Sequence, residues 1–387
     1  MILSNICLCR FPFRIPPELI LIVTDFLKGD VEALSACSLV CRDWLDIVRP
    51  GLFRKIYFKA DASDFDAKLS SFLQFFGSAH YIARYVKSLS ISTRDSEGRH
   101  FRPGRVTTSH LKLTIPIFPG LHELSFTRID WRATETYQMS AIEALRLTTV
   151  SSPDCEHWLH LVWTFPNLRH LAIDRFFIPM TDALQHSAPA PVITDLSLDN
   201  LEVLEIQYTP LASNVLTALR RASELKTLRM LSVNLIHGSD VAGVSQALLA
   251  AHAALTHLHL TVTFAAGQGI ADLRGLMRGL PFPSLTSLHT LAFSLTYNSP
   301  NWLWDSIVEM VACTSASLQA LHFTFLFRYY NTVPWGELDK VLVSLPSLKK
   351  VEFVNHLQAG EAIPKDFYFL MELGLPLTHE RGLLFCP

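Results

Sequence analysis

A short leucine phrase that recurs along most of the chain constrains its fold more than any other feature. The phrase has the form L-x-x-L-x-L, with Ile, Val, Met or Phe at some positions, and its copies extend from residue 86 to residue 353. The second apolar positions of the copies are residues 89, 124, 145, 171, 204, 228, 258, 291, 321 and 351. Helix-like stretches separate many copies, and strand followed by helix followed by strand is the recipe for parallel strands with crossover helices.

The spacing of the copies favours a repeat architecture over an ordinary leucine-rich α/β domain. Neighbouring copies are 21 to 35 residues apart, and several are preceded by Pro-x-Leu. Leucine-rich repeats usually have a period of about 20–29 residues, so these copies are longer and irregular. We therefore predict the α/β class, with an irregular leucine-rich-repeat solenoid over residues 81–355 and a C-terminal cap over residues 356–387.

The residues beside each central leucine are predicted to face outward, because side chains alternate along a strand. Within this surface, six polar residues are candidates for binding a protein target: Glu205, Arg229, His257, His259, His322 and Lys350. A solvated sheet face without a ligand explains the same pattern equally well. The pair His257 and His259 could also bind a metal ion or titrate near neutral pH, although a surface pair without a ligand is the favoured interpretation, and we expect no metal site.

The first sixty residues carry the signals of short helices. Pro16 and Pro17 suit a helix start, and apolar residues then recur at helical spacing as far as Leu27. Gly29 and Asp30 are expected to end this helix and to cap the next one. The first helix is apolar on more than one side, and so small a module has a marginal core. Both features are typical of a module that completes its burial against a partner.

The spaced pattern Pro16-Pro17-Glu18-Leu19, an apolar helix, and then Leu39-Val40-Cys41-Arg42-x-Trp44 resembles the F-box family. The resemblance covers residues 13–58 and departs at Ile15, where the family more often has leucine. It implies docking onto a Skp-type adaptor through Pro16, Pro17, Leu19, Ile20, Leu39, Val40, Cys41 and Trp44. The alternative is that these residues form only the core of a small helical cap. Residues 59–80 are expected to form a connecting helical segment.

Composition limits the remaining function classes. The net charge of −2 argues against a nucleic-acid surface, and no stretch has the ~18–20 uninterrupted apolar residues of a membrane span. Seven cysteines without a repeated spacing give no disulfide framework, which suits the cytoplasm or nucleus. Motifs of hydrolases, phosphate-binding loops and zinc proteases are absent from the sequence, so we expect neither a cofactor nor an enzyme.

The resemblance implies a substrate-recognition adaptor of a Skp-cullin-F-box ubiquitin ligase. In that role the helical module anchors the chain to the Skp-type adaptor and the cullin scaffold. The solenoid binds a protein target that the sequence does not identify. Two alternatives stay open. The first is an F-box-containing interaction protein without a ubiquitination role, and the second is a hydrolase or metal enzyme that uses the histidine-bearing surface.

Overall fold

The computed structural model describes residues 15–27, 29–94, 103–132, 138–152, 155–177, 198–209, 212–222, 224–263, 270–295, 301–325, 333–355 and 367–385. Its chain divides into two compact units, Met1–Ile129 and Asp130–Pro387.

The first unit begins with three helices, which are α1 (Pro17–Phe26), α2 (Val31–Ser38) and α3 (Arg42–Leu52). Pro16 occupies the N-cap of α1 and Pro17 its first turn, where a proline costs no internal hydrogen bond. Gly29 has φ +100°, a conformation that a Cβ atom disfavours, and it lies in the short break between α1 and α2. Asp30 caps α2 by accepting a 2.9 Å hydrogen bond from the N–H of Ala33. The helix start, the break and the cap predicted from the sequence are all confirmed.

The rest of the first unit alternates strands and helices. Its elements are β1 (Lys55–Ala60), α4 (Phe65–Ser78), α5 (His80–Ala83), β2 (Ser88–Thr93), β3 (Gly104–Thr107), α6 (Thr108–Ile117) and β4 (Glu123–Thr127). Strands β1, β2 and β4 pair in that order, all parallel. Aromatic rings fill the space between strands and helices; Phe58 on β1, for example, packs on Phe65 and Phe72 of α4 at 5.5 and 5.1 Å between ring centroids. Strand β5 (Ile129–Arg132) spans the boundary between the units in the sequence.

The second unit repeats a strand and a helix. Its strands are β6 (Ala144–Thr148), β7 (His170–Asp174), β8 (Val203–Gln207), β9 (Met230–Leu235), β10 (His257–Val262), β11 (Thr290–Leu295), β12 (Ala320–Phe325), β13 (Lys350–Asn355) and β14 (Leu384–Phe385). From β6 to β14 each strand pairs parallel with the next.

The helices of the second unit lie between these strands in the sequence. They are α7 (Cys155–Trp163), α8 (Ala212–Ala222), α9 (Gly238–Ala251), α10 (Ile270–Arg278), α11 (Asn301–Ala312), α12 (Trp335–Ser344), α13 (Phe367–Gly374) and α14 (Pro376–Glu380). Parallel strands need such crossovers, and the predicted fold class of helical module followed by parallel strand and helix repeats is confirmed.

One face of the second unit's sheet packs on the helices. The ring of Trp304 on α11 lies 5.8 Å from that of Phe323 and 5.6 Å from that of Phe325, both buried residues of β12. On the next strand, Phe353 stacks on Phe323 at 5.0 Å and meets Trp335 of α12 at 5.7 Å. The core therefore lies between sheet and helices, and the other side chains of each strand form an outward face.

The structure corrects the predicted register of one repeat. The sequence predicted that Leu228 is the central leucine and that Thr227 and Arg229 face outward, but Leu231 pairs with Leu204 on β8 and with Leu258 on β10. The error arose because L-x-x-L can be read twice in LKTLRML, and Leu228 is a buried residue before the strand. With Leu231 as the centre, this position lies midway between residues 204 and 258.

Another copy of the leucine phrase, ITDLSL at residues 193–198, predicts a possible extra strand, and residues 267–269 form an isolated G-x-G for which a phosphate-binding role is improbable. Both segments lie partly or wholly outside the described residues, as do residues 356–366 of the predicted cap. Among the described helices, none is long and apolar enough to cross a membrane.

Candidate functional site

Large apolar side chains are exposed on the three-helix module of the first unit. Helix α1 buries only Ile20 and Thr24 of its ten residues. Phe26 at the end of α1 is 86% exposed, and Leu39 after α2 is 84% exposed. We call this set the apolar docking surface; its members are Ile15, Leu19, Leu21, Ile22, Val23, Phe26, Val31, Leu39 and Val40. Exposed apolar side chains that cluster in this way on a small module are typical of interaction sites.

A groove of about 500 Å³ adjoins this surface. Its described lining comes from all three helices and consists of Leu21, Ile22, Thr24, Asp25, Phe26, Leu34, Ile47, Val48, Pro50 and Gly51. Both α1 and α2 pack on α3, so α3 supplies the floor that holds the other helices. An apolar groove between helices is a shape that accepts side chains of a partner helix.

The residues predicted to contact an adaptor fall into three groups. Five are exposed, namely Pro16, Pro17, Leu19, Leu39 and Val40. Cys41 and Trp44 are half-buried, and Ile20 is 3% exposed, so it supports α1 from beneath. Ile22 and Phe26 are exposed as well but were not among the predicted contact residues, although the apolar character of α1 on several sides indicated them.

The second unit carries a polar network on its outward face. Gln207 Nε2 donates a 2.8 Å hydrogen bond to Ser232 Oγ, and Ser232 Oγ lies 3.1 Å from His259 Nδ1. On its other side His259 Nε2 lies 2.8 Å from Ser294 Oγ. The chain of contacts crosses four neighbouring strands, β8 to β11, and we call these four residues the polar strip. Burial lowers the pKa of His259, an effect that the charge of Glu205 opposes, so its imidazole is neutral at pH 7.

Two carboxylates, each in contact with a histidine, flank the polar strip. His170 Nε2 lies 3.2 Å from Glu205 Oε1, a close contact that is not aligned as a hydrogen bond. This contact lowers the pKa of Glu205 despite its burial, and Arg146 contributes. On the other side Glu352 Oε2 contacts His322 Nδ1 at 2.8 Å and Lys350 Nζ at 2.9 Å.

Burial favours the neutral acid at this second carboxylate. The contacts with Lys350 and His322 together outweigh that effect and lower the pKa of Glu352. Both flanking carboxylates therefore stay ionised at neutral pH.

The predicted target-binding residues are brought together only in part. Glu205, His257, His259, His322 and Lys350 lie on strands β8, β10, β12 and β13 and face outward with the polar strip. Arg229 precedes β9 and is exposed, so the reason for placing it on this face no longer holds. The pairs His170 with Glu205 and His322 with Glu352 join residues about thirty positions apart, which the sequence alone does not reveal.

The described residues offer no group of three or more His, Cys, Asp or Glu side chains that could hold a metal ion. The spacing of Cys155, His157 and His160 could offer metal ligands, although a solvent-facing helix start is the favoured interpretation. The side chains of Cys155 and His157 lie outside the described residues. His160 stacks edge-on against Trp163 at 5.6 Å, within the same helix.

A three-helix module with exposed apolar side chains is followed in the sequence by parallel strand and helix repeats. The model of the F-box-like family matches residues 13–59, so the chain carries an F-box-like domain over the three helices that bear the apolar docking surface.

Among solved structures, a chain of the crystal structure of the Rad7 and Elc1 complex in yeast is similar over 89% of this chain and 90% of that chain. Its sequence identity is 14% and its TM-score 0.38, values that support no conclusion about function. A search of curated proteins gave no match.

Proposed function

We propose that this protein is a substrate-recognition adaptor of a Skp-cullin-F-box ubiquitin ligase. The observation that carries the proposal is the coincidence of the F-box-like match at residues 13–59 with the apolar docking surface. A Skp-type adaptor covers that surface, with Pro16, Pro17, Leu19, Leu39 and Val40 in contact. Ile20, Cys41 and Trp44 support the contact from within or beside the module.

The mechanism of such an adaptor is positional. The module anchors to the Skp-type adaptor and cullin scaffold, while the outward face of the repeats holds a protein target. Binding both partners raises the effective concentration of the target near the ubiquitin-loaded enzyme and orients it. The bond-forming chemistry belongs to the partners, and this chain contributes proximity.

Co-purification with a Skp-type adaptor tests the first half of the proposal. The full chain is expressed with the adaptor beside a triple variant, Pro17→Ala, Leu19→Ser and Val40→Ser, and a control, Leu113→Ser. Leu113 on α6 is 62% exposed and lies outside the module. The control therefore shows whether the loss of any exposed leucine weakens adaptor binding.

We expect the adaptor to bind the parent and the control but not the triple variant, with circular dichroism unchanged among the three. A well-folded parent that does not bind the adaptor contradicts the proposal. The ubiquitination role is tested separately, by adding cullin, the ubiquitin-loaded enzyme and a target protein that is cross-linked to this chain. Ubiquitin is expected to be transferred to the target. If no transfer occurs, only the role of an interaction protein remains.

A further inference from the structure

The polar strip is one continuous chain of hydrogen bonds. Ser232 Oγ accepts from the amide of Gln207, so its own hydroxyl proton is available for the neighbouring nitrogen, His259 Nδ1. A neutral imidazole has one acceptor and one donor nitrogen, so His259 accepts a hydrogen bond from one of its two serine neighbours and donates one to the other. The strip is therefore an uncharged chain of amide, hydroxyl, imidazole and hydroxyl groups whose geometry is fixed before a ligand arrives.

The size of the strip suits an extended chain segment. Four neighbouring strands at the usual spacing cover about 14 Å, the length of roughly four extended residues. Small side chains, Ser232 and Ala292, keep the surface shallow between the imidazole and its neighbours. Beside the strip on β9, the amide of Asn234 is fully buried, and neither its nitrogen nor its oxygen has a hydrogen-bond partner in the described structure.

The charges around the strip are unfavourable for an anion. Glu205 and Glu352 flank it, and His170, His322 and Lys350 already contact these carboxylates. Arg146 on β6 also acts on Glu205, but it is a single arginine and not a cluster. A phosphorylated residue carries a charge of about −1.5 to −2 at pH 7 and is usually recognised by clustered arginines. On the described strands β8 to β13 the outward positions hold no arginine.

We propose that the polar strip binds an extended, uncharged segment of the target that is rich in Ser, Thr, Asn or Gln and is not phosphorylated. The segment offers hydroxyl and amide groups that extend the network of Gln207, Ser232, His259 and Ser294. Phosphorylation of the segment weakens binding, because the added charge faces two carboxylates without a free arginine cluster. This inference rests on the proposed function, since it gives the class of target that the repeats hold.

A displayed library of random twelve-residue peptides is the probe. The library is panned on the full chain, and the enriched peptides are synthesised with and without phosphate on their Ser and Thr residues. Their dissociation constants are measured by fluorescence polarisation on the parent, on Ala292→Arg, which adds a cation to the strip, and on Gln246→Arg. Gln246 is an exposed residue of α9 and receives the same charge away from the strip.

We expect few charged residues in the enriched peptides and at least tenfold weaker binding after phosphorylation. Ala292→Arg should weaken the unphosphorylated peptides and abolish the penalty for phosphate, while Gln246→Arg leaves both unchanged. His259→Gln, which removes the imidazole without adding charge, should weaken peptide binding severalfold. This variant replaces Ala292→Arg as the test if Ala292→Arg does not fold.

Acidic peptides, tighter binding after phosphorylation, or peptides insensitive to the strip variants would each overturn the inference. An unproductive panning on the folded chain would overturn it as well. Adaptor binding, measured on the same samples, separates the two proposals. A chain that binds the adaptor but shows no strip-dependent peptide loses only this inference, whereas a chain that fails to bind the adaptor loses the proposed function.

Discussion

Leu39→Ala is the most informative single change in the apolar docking surface. The side chain is 84% exposed in the structure, so it contributes little to the packing of the module itself. If a Skp-type adaptor covers it, the leucine is buried only in the complex. The substitution should therefore affect binding and leave folding almost unchanged.

The magnitude follows from the area that docking would remove from water. Leucine exceeds alanine by three carbon atoms, each worth about 0.8 kcal/mol when fully buried. With 84% of the side chain available for burial, the loss is about 2 kcal/mol, or roughly a 30-fold higher dissociation constant. The free energy of unfolding should change by less than about 0.5 kcal/mol, as for other exposed positions.

Leu113→Ala is the matched control, because it is the same change at an exposed leucine of the first unit outside the module. Adaptor affinity is measured by isothermal titration calorimetry, and stability by urea unfolding, for both variants and the parent. We expect a large loss of affinity for Leu39→Ala alone. Equal affinities for the two folded variants would refute the assignment of Leu39 to the interface.

Three further predictions concern stability. Asp339 is a buried carboxylate of α12 that accepts hydrogen bonds at the start of α14. Asp339→Asn should therefore lower the free energy of unfolding in denaturant by about 1–3 kcal/mol. The control Glu337→Gln, at an exposed ion pair on the same helix, should lower it by less than about 0.5 kcal/mol. Gly29→Ala should destabilise the first unit by about 1 kcal/mol, because φ at this position is +100°. Gly77→Ala, in a helical position with open space around it, should stabilise the unit by a similar amount. Melting temperatures that shift in the same direction for both variants would contradict the prediction. Burial lowers the pKa of His259 below its ordinary 6.5, so the unfolded chain takes up the proton first and stability falls as the pH drops below about 6.5. His259→Gln should flatten this dependence between pH 7.5 and 5.5. Parallel curves of unfolding free energy against pH for the parent and the variant would refute the prediction.

The parts of the fold that the sequence predicted are those set by local signals. Pro17 at a helix start, Gly29 at a reversal and Asp30 at a cap each act through their own backbone or the next turn. The leucine phrases predicted the strands because alternation along a strand is equally local. The prediction was wrong at Leu231, because two overlapping phrases satisfy the same pattern and only pairing with the neighbouring strands selects one.

The candidate site was less predictable because it depends on which apolar side chains the packing of the helices leaves exposed. The sequence indicated that α1 is apolar on several sides, but only the packing of the helices shows that Phe26 and Leu39 stay uncovered while Ile20 is buried. On the outward face the histidines could be found by alternation. Their partners Glu205 and Glu352 could not be assigned, because each contact depends on the register between strands.

A recurring backbone conformation shows why local propensity alone does not specify the repeats of the second unit. Thr149, Arg175 and Tyr208 each follow a buried strand leucine by four residues and each have φ between 47° and 55°. Such a conformation favours glycine and is least favourable for a β-branched residue such as Thr149. Hydrogen bonds to the next repeat offset the strain: the N–H of Thr149 donates to the carbonyl of Asp174 at 2.7 Å, and that of Arg175 to the carbonyl of Gln207 at 3.0 Å. Strands β6 and β7 therefore each end in a conformation that a hydrogen bond to the end of the next strand stabilises.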